Sequence, residues 1–136
     1  MGTLQTLNTQ LVNAKSLDFD GTNDQMIINS TCGIIGYPFS MSAWVYSHES
    51  SADHFIVNLG DYSTDDMYYG LYWDADSKFN AVSRNTTVRE SQSTALSLNT
   101  WYHVAGVFAS PTSRIVYVNG TAASEDTNSV AFNTNC

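Results

Sequence analysis

Acidic side chains gather in three short, turn-like stretches of the sequence. They are Asp18, Asp20 and Asp24, then Asp61, Asp65 and Asp66, and finally Asp74 and Asp76. Calcium takes about six to eight oxygen ligands, several of them from carboxylates and turn carbonyls, so such stretches could hold this cation. Aspartate also caps tight turns by accepting hydrogen bonds from backbone N–H groups. None of the stretches has the spacing of an EF-hand loop, and the residues alone leave both interpretations open.

The sequence lacks the side-chain arrangements that common hydrolases use. Retaining glycoside hydrolases need two carboxyl groups about 5 Å apart, which neighbouring residues on one face of a strand can supply. Glu49, Glu90 and Glu125 are far apart, and Asp74 and Asp76 lie in an apparent turn without a glutamate beside them. There is no Gly-x-Ser-x-Gly nucleophile motif either. We therefore predict that this protein is not an enzyme.

The segment of residues 68–73 (YYGLYW) is unusually rich in aromatic residues. On a β-strand, Tyr69 and Trp73 would share one face, and Tyr68 and Tyr72 would share the other. Saccharides stack on aromatic rings and form hydrogen bonds with amide and carboxylate groups, so one of these faces could bind a glycan. The predicted glycan-binding residues are Tyr69, Trp73, Asp61, Asn80 and Arg84. The alternative is that these rings belong to the hydrophobic core.

Charge and composition narrow the choice of partners. The chain has 136 residues, a formal net charge of −8 at pH 7 and only 5 lysine and arginine residues. Binding to nucleic acid requires a basic surface that neutralises phosphates, so a nucleic-acid partner is not expected. No apolar run reaches the length of about 18 residues that a transmembrane helix needs, so membrane insertion is not expected. Glycans and surface proteins remain as candidate partners.

The two cysteines, Cys32 and Cys136, allow a single disulfide bond. They could pair, which would tie the last residue to the early part of the sheet, or they could be unrelated thiols. The first eight residues lack the basic and apolar regions of a signal peptide. Export would then depend on a signal already removed or on another route, such as a virus particle.

Hydrophobic residues alternate with a period of two over most of the chain, which predicts β-strands. Strands are predicted at residues 16–20, 25–28, 39–46, 54–59, 67–73, 78–83, 87–91, 101–109, 114–118 and 121–124. Asn119-Gly120 between two such runs is a strong hairpin signal. Trp44 and Trp101 are assigned to the core or its rim. The first 14 residues differ, with leucines at helical spacing, and are predicted to form an N-terminal arm before a domain at residues 15–136.

Four stretches in order carry a family resemblance. They are residues 17–24 (LDFDGTND), 39–45 (FSMSAWV), 101–107 (WYHVAGV) and 116–120 (VYVNG). The ordered set resembles a laminin G-like domain of the concanavalin A-like lectin/glucanase superfamily. The resemblance implies an all-β fold, an antiparallel jelly-roll sandwich of two sheets. It also implies a structural calcium at Asp20 and Asp24, because the turn between them is similar to a calcium-holding turn of the superfamily.

The sequence departs from that family near its C-terminal end. Family members continue past the VYVNG hairpin with two more strands, whereas only residues 129–132 could add one here. The sandwich is therefore predicted to lack its last strand, and an open sheet edge recruits other strands. We expect self-association or a larger assembly, in which a neighbouring subunit or the arm of another copy completes the sheet.

These observations predict a non-catalytic recognition or adhesion module on a virion or extracellular surface, which binds a glycan or a protein. The alternative is a structural subunit, such as a capsid decoration or fibre protein, that assembles through its open edge or N-terminal arm and binds no small ligand. A degenerate glycoside hydrolase fragment is the third hypothesis.

Overall fold

The computed structural model describes residues 15–22, 24–28, 33–60 and 67–132. The predicted N-terminal arm, Asp61 and both cysteines lie outside these ranges, as does the acidic stretch at residues 61–66. The described residues form eight β-strands. They are β1 (Phe39–Tyr46), β2 (His54–Gly60), β3 (Met67–Trp73), β4 (Phe79–Asn85), β5 (Thr87–Gln92), β6 (Trp101–Ser110), β7 (Ser113–Val118) and β8 (Thr121–Ala122). They contain no helix with the length and hydropathy of a membrane span.

The strands form two four-stranded sheets, ordered β1-β6-β7-β8 and β2-β3-β4-β5. Every pairing is antiparallel, including the long-range pairing of β1 with β6, in which Trp44 lies opposite His103. The two sheets stack on each other and enclose the core. The predicted all-β, two-sheet jelly-roll fold is confirmed.

The hydrophobic core lies between the inward faces of the sheets. Its buried residues are Met41, Tyr69, Leu71, Trp73, Phe79, Ala81, Val104, Phe108 and Val116. Gly106 of β6 also faces inward, and a Cβ built on it would lie 2.9 Å from Cδ2 of Leu71. The absence of a side chain at Gly106 therefore lets Leu71 of the opposite sheet pack directly against β6.

Two predicted strands near the N-terminus are not strands. Residues 16–20 and 25–28 make no ladder pairing in the described part of the chain, although they carry apolar residues in the expected pattern. Leu17, Met26 and Ile28 are exposed. A period of two indicates an extended backbone, but a strand also needs a neighbour for its hydrogen bonds.

The chain after β8 follows β7, and residues 129–132, the only ones expected to be able to add a further strand, do not form one. Isolated backbone contacts connect it to β7 and to the turn before it, among them the bridge between Arg114 and Asp126 and the bond from the Val130 N–H to the Pro111 carbonyl. Val130 is nevertheless buried, and the Phe132 ring packs on Tyr69, with 5.4 Å between centroids. This segment closes the core with side chains rather than with a ladder.

A buried ion pair fixes the same segment. The Arg114 side chain points inward from β7 and donates to Asp126 Oδ2 at 2.5 Å through Nη1. Its Nη2 donates to the carbonyls of Pro111 and Asn128 at 2.9 and 2.8 Å. Burying a charge is costly unless it is paired and hydrogen-bonded, and these contacts pair both Nη atoms, although the buried Nε has no acceptor among the described residues. The pair thereby holds the C-terminal segment against β7.

The predicted turns are confirmed where they are described. Asp74 Oδ1 accepts hydrogen bonds from the backbone N–H groups of Asp76 and Lys78, both at 2.9 Å, and closes the turn between β3 and β4. Asn119 and Gly120 both have positive φ, 49° and 80°, as the tight hairpin between β7 and β8 requires.

Candidate ligand-binding surfaces

The predicted glycan-binding residues do not form one accessible site. Tyr69 and Trp73 face the core and are each only 2% exposed, so neither ring can stack on a sugar. Asn80 is also buried, and its amide donates to Asp74 Oδ2 at 2.9 Å. Arg84 is half-buried on the second sheet, and Asp61 falls outside the described residues. The alternative, that Tyr69 and Trp73 are core residues, is what the structure shows.

The assignment of Trp44 and Trp101 to the core or its rim is wrong. Trp44 is 66% exposed and Trp101 is 48% exposed. Both side chains project from the outward side of the β1-β6 pair, opposite the inward positions of Met41 and Val104. Side chains alternate between the two faces of a strand, so the burial of these neighbours sends the indoles outward.

The outward side of β1 and β6 carries four ring-bearing residues, Trp44, Tyr46, Trp101 and His103, which we call the aromatic face. Trp44 lies opposite His103 and Tyr46 opposite Trp101 in the ladder. Each pair has 5.4 Å between ring centroids, with interplanar angles of 58° and 53°. Asn119 holds the backbone of β6 at His103, because its Oδ1 accepts a hydrogen bond from the His103 backbone N–H at 2.9 Å.

The aromatic face belongs to a sheet that presents no formal charge on its outer side along its three long strands. β1 and β6 contain no aspartate, glutamate, lysine or arginine. The one such residue of β7 is Arg114, which is buried and points inward. In a chain with a net charge of −8, this sheet face is an uncharged surface rich in rings.

The outer side of the second sheet forms a cavity of about 250 Å³, which we call the tyrosine pocket. Its lining residues are Asp53, Phe55, Tyr68, Tyr72, Val82, Val88 and Glu90. The Phe55 ring lies 5.5 Å from the centroids of both Tyr68 and Tyr72. Phe55 also lies over Gly70, where a Cβ would come within 2.8 Å of its ring. The missing side chain at Gly70 thus makes room for this ring.

A short hydrogen bond orders one wall of the tyrosine pocket. The Tyr72 hydroxyl donates to Glu90 Oε2 at 2.6 Å, and Gln92 Nε2 donates to Glu90 Oε1 at 3.1 Å. Burial raises the pKa of the Tyr72 phenol well above its usual range, and the hydrogen bond to Glu90 and the nearby negative charges act in the same direction. Tyr72 therefore remains a hydrogen-bond donor.

The turn at Asp20 and Asp24 uses its carboxylates for local hydrogen bonds. Asp20 Oδ1 accepts the Thr22 N–H at 2.8 Å, and Asp24 Oδ2 accepts the Asp20 N–H at 3.1 Å. The described ranges contain no group of three metal-ligating side chains. These contacts fit turn capping, and two carboxylates fall short of the oxygen set that calcium takes. The calcium site therefore stays a prediction.

Two stacked antiparallel four-stranded sheets define a sandwich of the jelly-roll type. A model of the laminin G-like family, described as the concanavalin A-like lectin/glucanases superfamily, matches residues 20–135, and the chain belongs to this family. Laminin G-like domains are generally non-catalytic, and membership of the superfamily indicates a module that binds carbohydrate or protein. No curated protein and no solved structure gives a match to this chain.

The sequence carried a signal for the aromatic face. The alternation in residues 39–46 places Trp44 and Tyr46 on the side opposite Phe39 and Met41. Because the face that carries Phe39 and Met41 is the more continuously apolar one, that face is buried and Trp44 faces outward. The pairing of Trp101 with Tyr46 could not be predicted in this way, since it depends on the register between distant strands.

Proposed function

We propose that this protein is a non-catalytic recognition module that binds a neutral glycan on its aromatic face. The observation that carries the proposal is the exposure of two indole rings, Trp44 and Trp101, on adjacent strands of one sheet. Large apolar side chains grouped on a surface mark interaction sites, because leaving them in water is unfavourable.

The chemistry of the aromatic face supports a neutral saccharide. Indole and phenol rings offer apolar surface for the C–H faces of a sugar, while His103 and Tyr46 bring polar ring atoms for its hydroxyl groups. A sulfated or otherwise anionic glycan would be repelled by a chain with a net charge of −8 and gain no ion pair on this sheet face. The aromatic face should therefore bind uncharged sugars in preference to anionic ones.

A glycan array followed by calorimetric titration tests the proposal. Trp44→Ala should weaken binding about tenfold or more, since stacking and area burial on one ring are together worth more than about 1.4 kcal/mol. Phe55→Ala is the matched control, because Phe55 is 48% exposed, as is Trp101, but lies on the opposite sheet. A loss of binding in Phe55→Ala with none in Trp44→Ala would refute the placement of the site. If no glycan on the array bound the protein, the proposal that it binds a glycan would be refuted.

We further propose that the module acts in adhesion on an extracellular or virion surface. Laminin G-like domains are often extracellular, which supports an exposed location. Localisation of the tagged full-length product, on intact cells or purified particles, tests it. Signal confined to the cytosol of the producing cell, with none on the outside or on particles, would contradict it.

Two further proposals concern stabilising groups. Calcium at Asp20 and Asp24 should raise the melting temperature when it is added and lower it when a chelator removes it, because a metal bound only to the native state stabilises that state. An unchanged melting temperature would rule the site out. A disulfide between Cys32 and Cys136 predicts a mass two hydrogens lighter than that of the reduced chain, together with a cross-linked peptide in a digest. Full alkylation of both thiols without reduction would rule the bond out.

A second candidate function is assembly through a sheet edge. Among the described residues, β1 pairs only with β6 and β2 pairs only with β3, so each has one edge without a ladder. Such edges recruit strands from other chains. Sedimentation measurements over a range of concentrations should then reveal oligomers, and a monomer at every concentration would contradict this candidate.

A further inference from the structure

The tyrosine pocket combines aromatic rings with carboxylates, which the proposed glycan site does not. Three rings line it, those of Phe55, Tyr68 and Tyr72, together with the carboxylates of Asp53 and Glu90. The Phe55 and Tyr68 rings meet edge to face at 88°, and Phe55 and Tyr72 are tilted by 42°. Because the rings are inclined to one another, they wall a small cavity rather than form a flat platform.

The electrostatics of this cavity favour a positive ligand. Aromatic faces attract cations through the ring quadrupole, and two carboxylates add full negative charges. Glu90 is held in place by the Tyr72 hydroxyl at 2.6 Å and by Gln92 at 3.1 Å, so its charge is fixed at the wall. The net charge of −8 attracts cations over a longer range as well.

The protein itself places a cation on one of these rings. The Arg84 guanidinium carbon lies 5.8 Å from the centroid of the Tyr68 ring. Arg84 is not among the residues that line the cavity, and the two charged residues that line it in the described part of the chain, Asp53 and Glu90, are both acidic. This contact places a guanidinium over one of the three rings, within the roughly 6 Å at which a cation and an aromatic face attract each other.

We propose that the tyrosine pocket binds an organic cation, specifically a methylated ammonium group. Such a group carries a diffuse charge inside an apolar shell, and it therefore gains from ring faces and carboxylates together while losing less hydration than a primary ammonium. A cavity of about 250 Å³ is small, which suits a headgroup or the end of a side chain rather than a whole oligosaccharide.

The probe is tetramethylammonium chloride, followed by NMR shifts of the tyrosine rings, with sodium chloride at equal ionic strength as the blank. tert-Butanol is the matched neutral ligand, because it is similar in size but uncharged. Saturable shifts of Tyr68 and Tyr72 with tetramethylammonium and weaker binding of tert-butanol are expected. Equal binding of both ligands would show that the pocket is merely apolar and would overturn the proposal, and so would an absence of saturable shifts.

Variants that remove one carboxylate separate the contribution of charge to cation binding from that of the aromatic rings. Glu90→Gln keeps the size of the side chain and an acceptor for the Tyr72 hydroxyl, and should weaken tetramethylammonium binding about tenfold. Asp53→Asn, at an exposed position, provides a second charge variant should Glu90→Gln fail to fold. Trp44→Ala on the opposite sheet should leave this binding unchanged. Unchanged affinity in both charge variants would overturn the proposal, without bearing on glycan binding at the aromatic face.

Discussion

The buried ion pair between Arg114 and Asp126 should make a large contribution to the stability of the fold. Arg114 is only 1% exposed and the Asp126 side chain is 10% exposed, so both charges depend on each other rather than on water. Asp126→Ala removes one partner and leaves the guanidinium buried without its carboxylate.

The magnitude of this effect follows from the contacts that remain. Breaking a buried ion pair by removing one partner costs about 3–5 kcal/mol. Arg114 would keep the carbonyls of Pro111 and Asn128 as acceptors, which places the loss at the lower end, about 3 kcal/mol. The melting temperature should fall by about 10 °C for a chain of this length.

The stabilisation should also depend on pH with a defined sign. Partial burial acts to raise the pKa of Asp126, but hydrogen bonds from Asn128 and the hydrogen bond and charge of Arg114 outweigh it and lower the pKa. A depressed native pKa means that the stabilisation is present above the unfolded value of about 3.9 and is lost as the pH falls through the lower native value. The difference in the free energy of unfolding between the native sequence and Asp126→Asn should therefore become smaller at acidic pH.

Urea unfolding followed by tryptophan fluorescence, at pH 7 and at a series of lower pH values, measures both effects. Asp76→Ala is the matched control, because Asp76 contacts Lys78 at 3.4 Å on the surface and should cost less than about 0.5 kcal/mol. A loss below about 1 kcal/mol for Asp126→Ala would refute the reasoning, since that is the range of exposed pairs. If the difference in unfolding free energy between the native sequence and Asp126→Asn stayed constant with pH, the argument from the lowered pKa of Asp126 would be refuted.

Two backbone positions give further predictions. Gly106→Ala places a methyl group 2.9 Å from Leu71 Cδ2 and should destabilise the fold by about 1–3 kcal/mol through overpacking, as urea unfolding can measure. Asn119→Ala should cost about 1–2 kcal/mol, because alanine tolerates positive φ poorly, and the His103 N–H also loses its acceptor. Asn119→Gly should recover in thermal melts the part of that loss that comes from the positive φ, and equal melting temperatures for the two variants would contradict the φ argument.

Much of the fold could be predicted from local patterns. Residues 67–73 were predicted as a strand with the bounds of β3, and Asn119-Gly120 was predicted as a hairpin. Both signals are local, since alternation and turn chemistry act over a few residues. The predicted strands at 16–20 and 25–28 were wrong, because their apolar pattern says nothing about whether another strand lies beside them.

The site was harder to predict for a related reason. Periodicity separated Tyr69 and Trp73 from Tyr68 and Tyr72, but it could not say which pair faces the opposite sheet. That choice depends on packing against β6 and its neighbours, which are distant in sequence. The pairing of Arg114 with Asp126 is equally invisible in the sequence, since only the path of the chain after β8 brings the carboxylate to β7.

The aromatic face and the tyrosine pocket lie on the outer sides of different sheets, with the whole core between them. Ligands at the two proposed sites would therefore bind on opposite sides of the sandwich, and one domain could hold two partners without either one blocking the other. Binding both partners at once would need no hinge in the domain, and the thickness of the sandwich would set the distance between them.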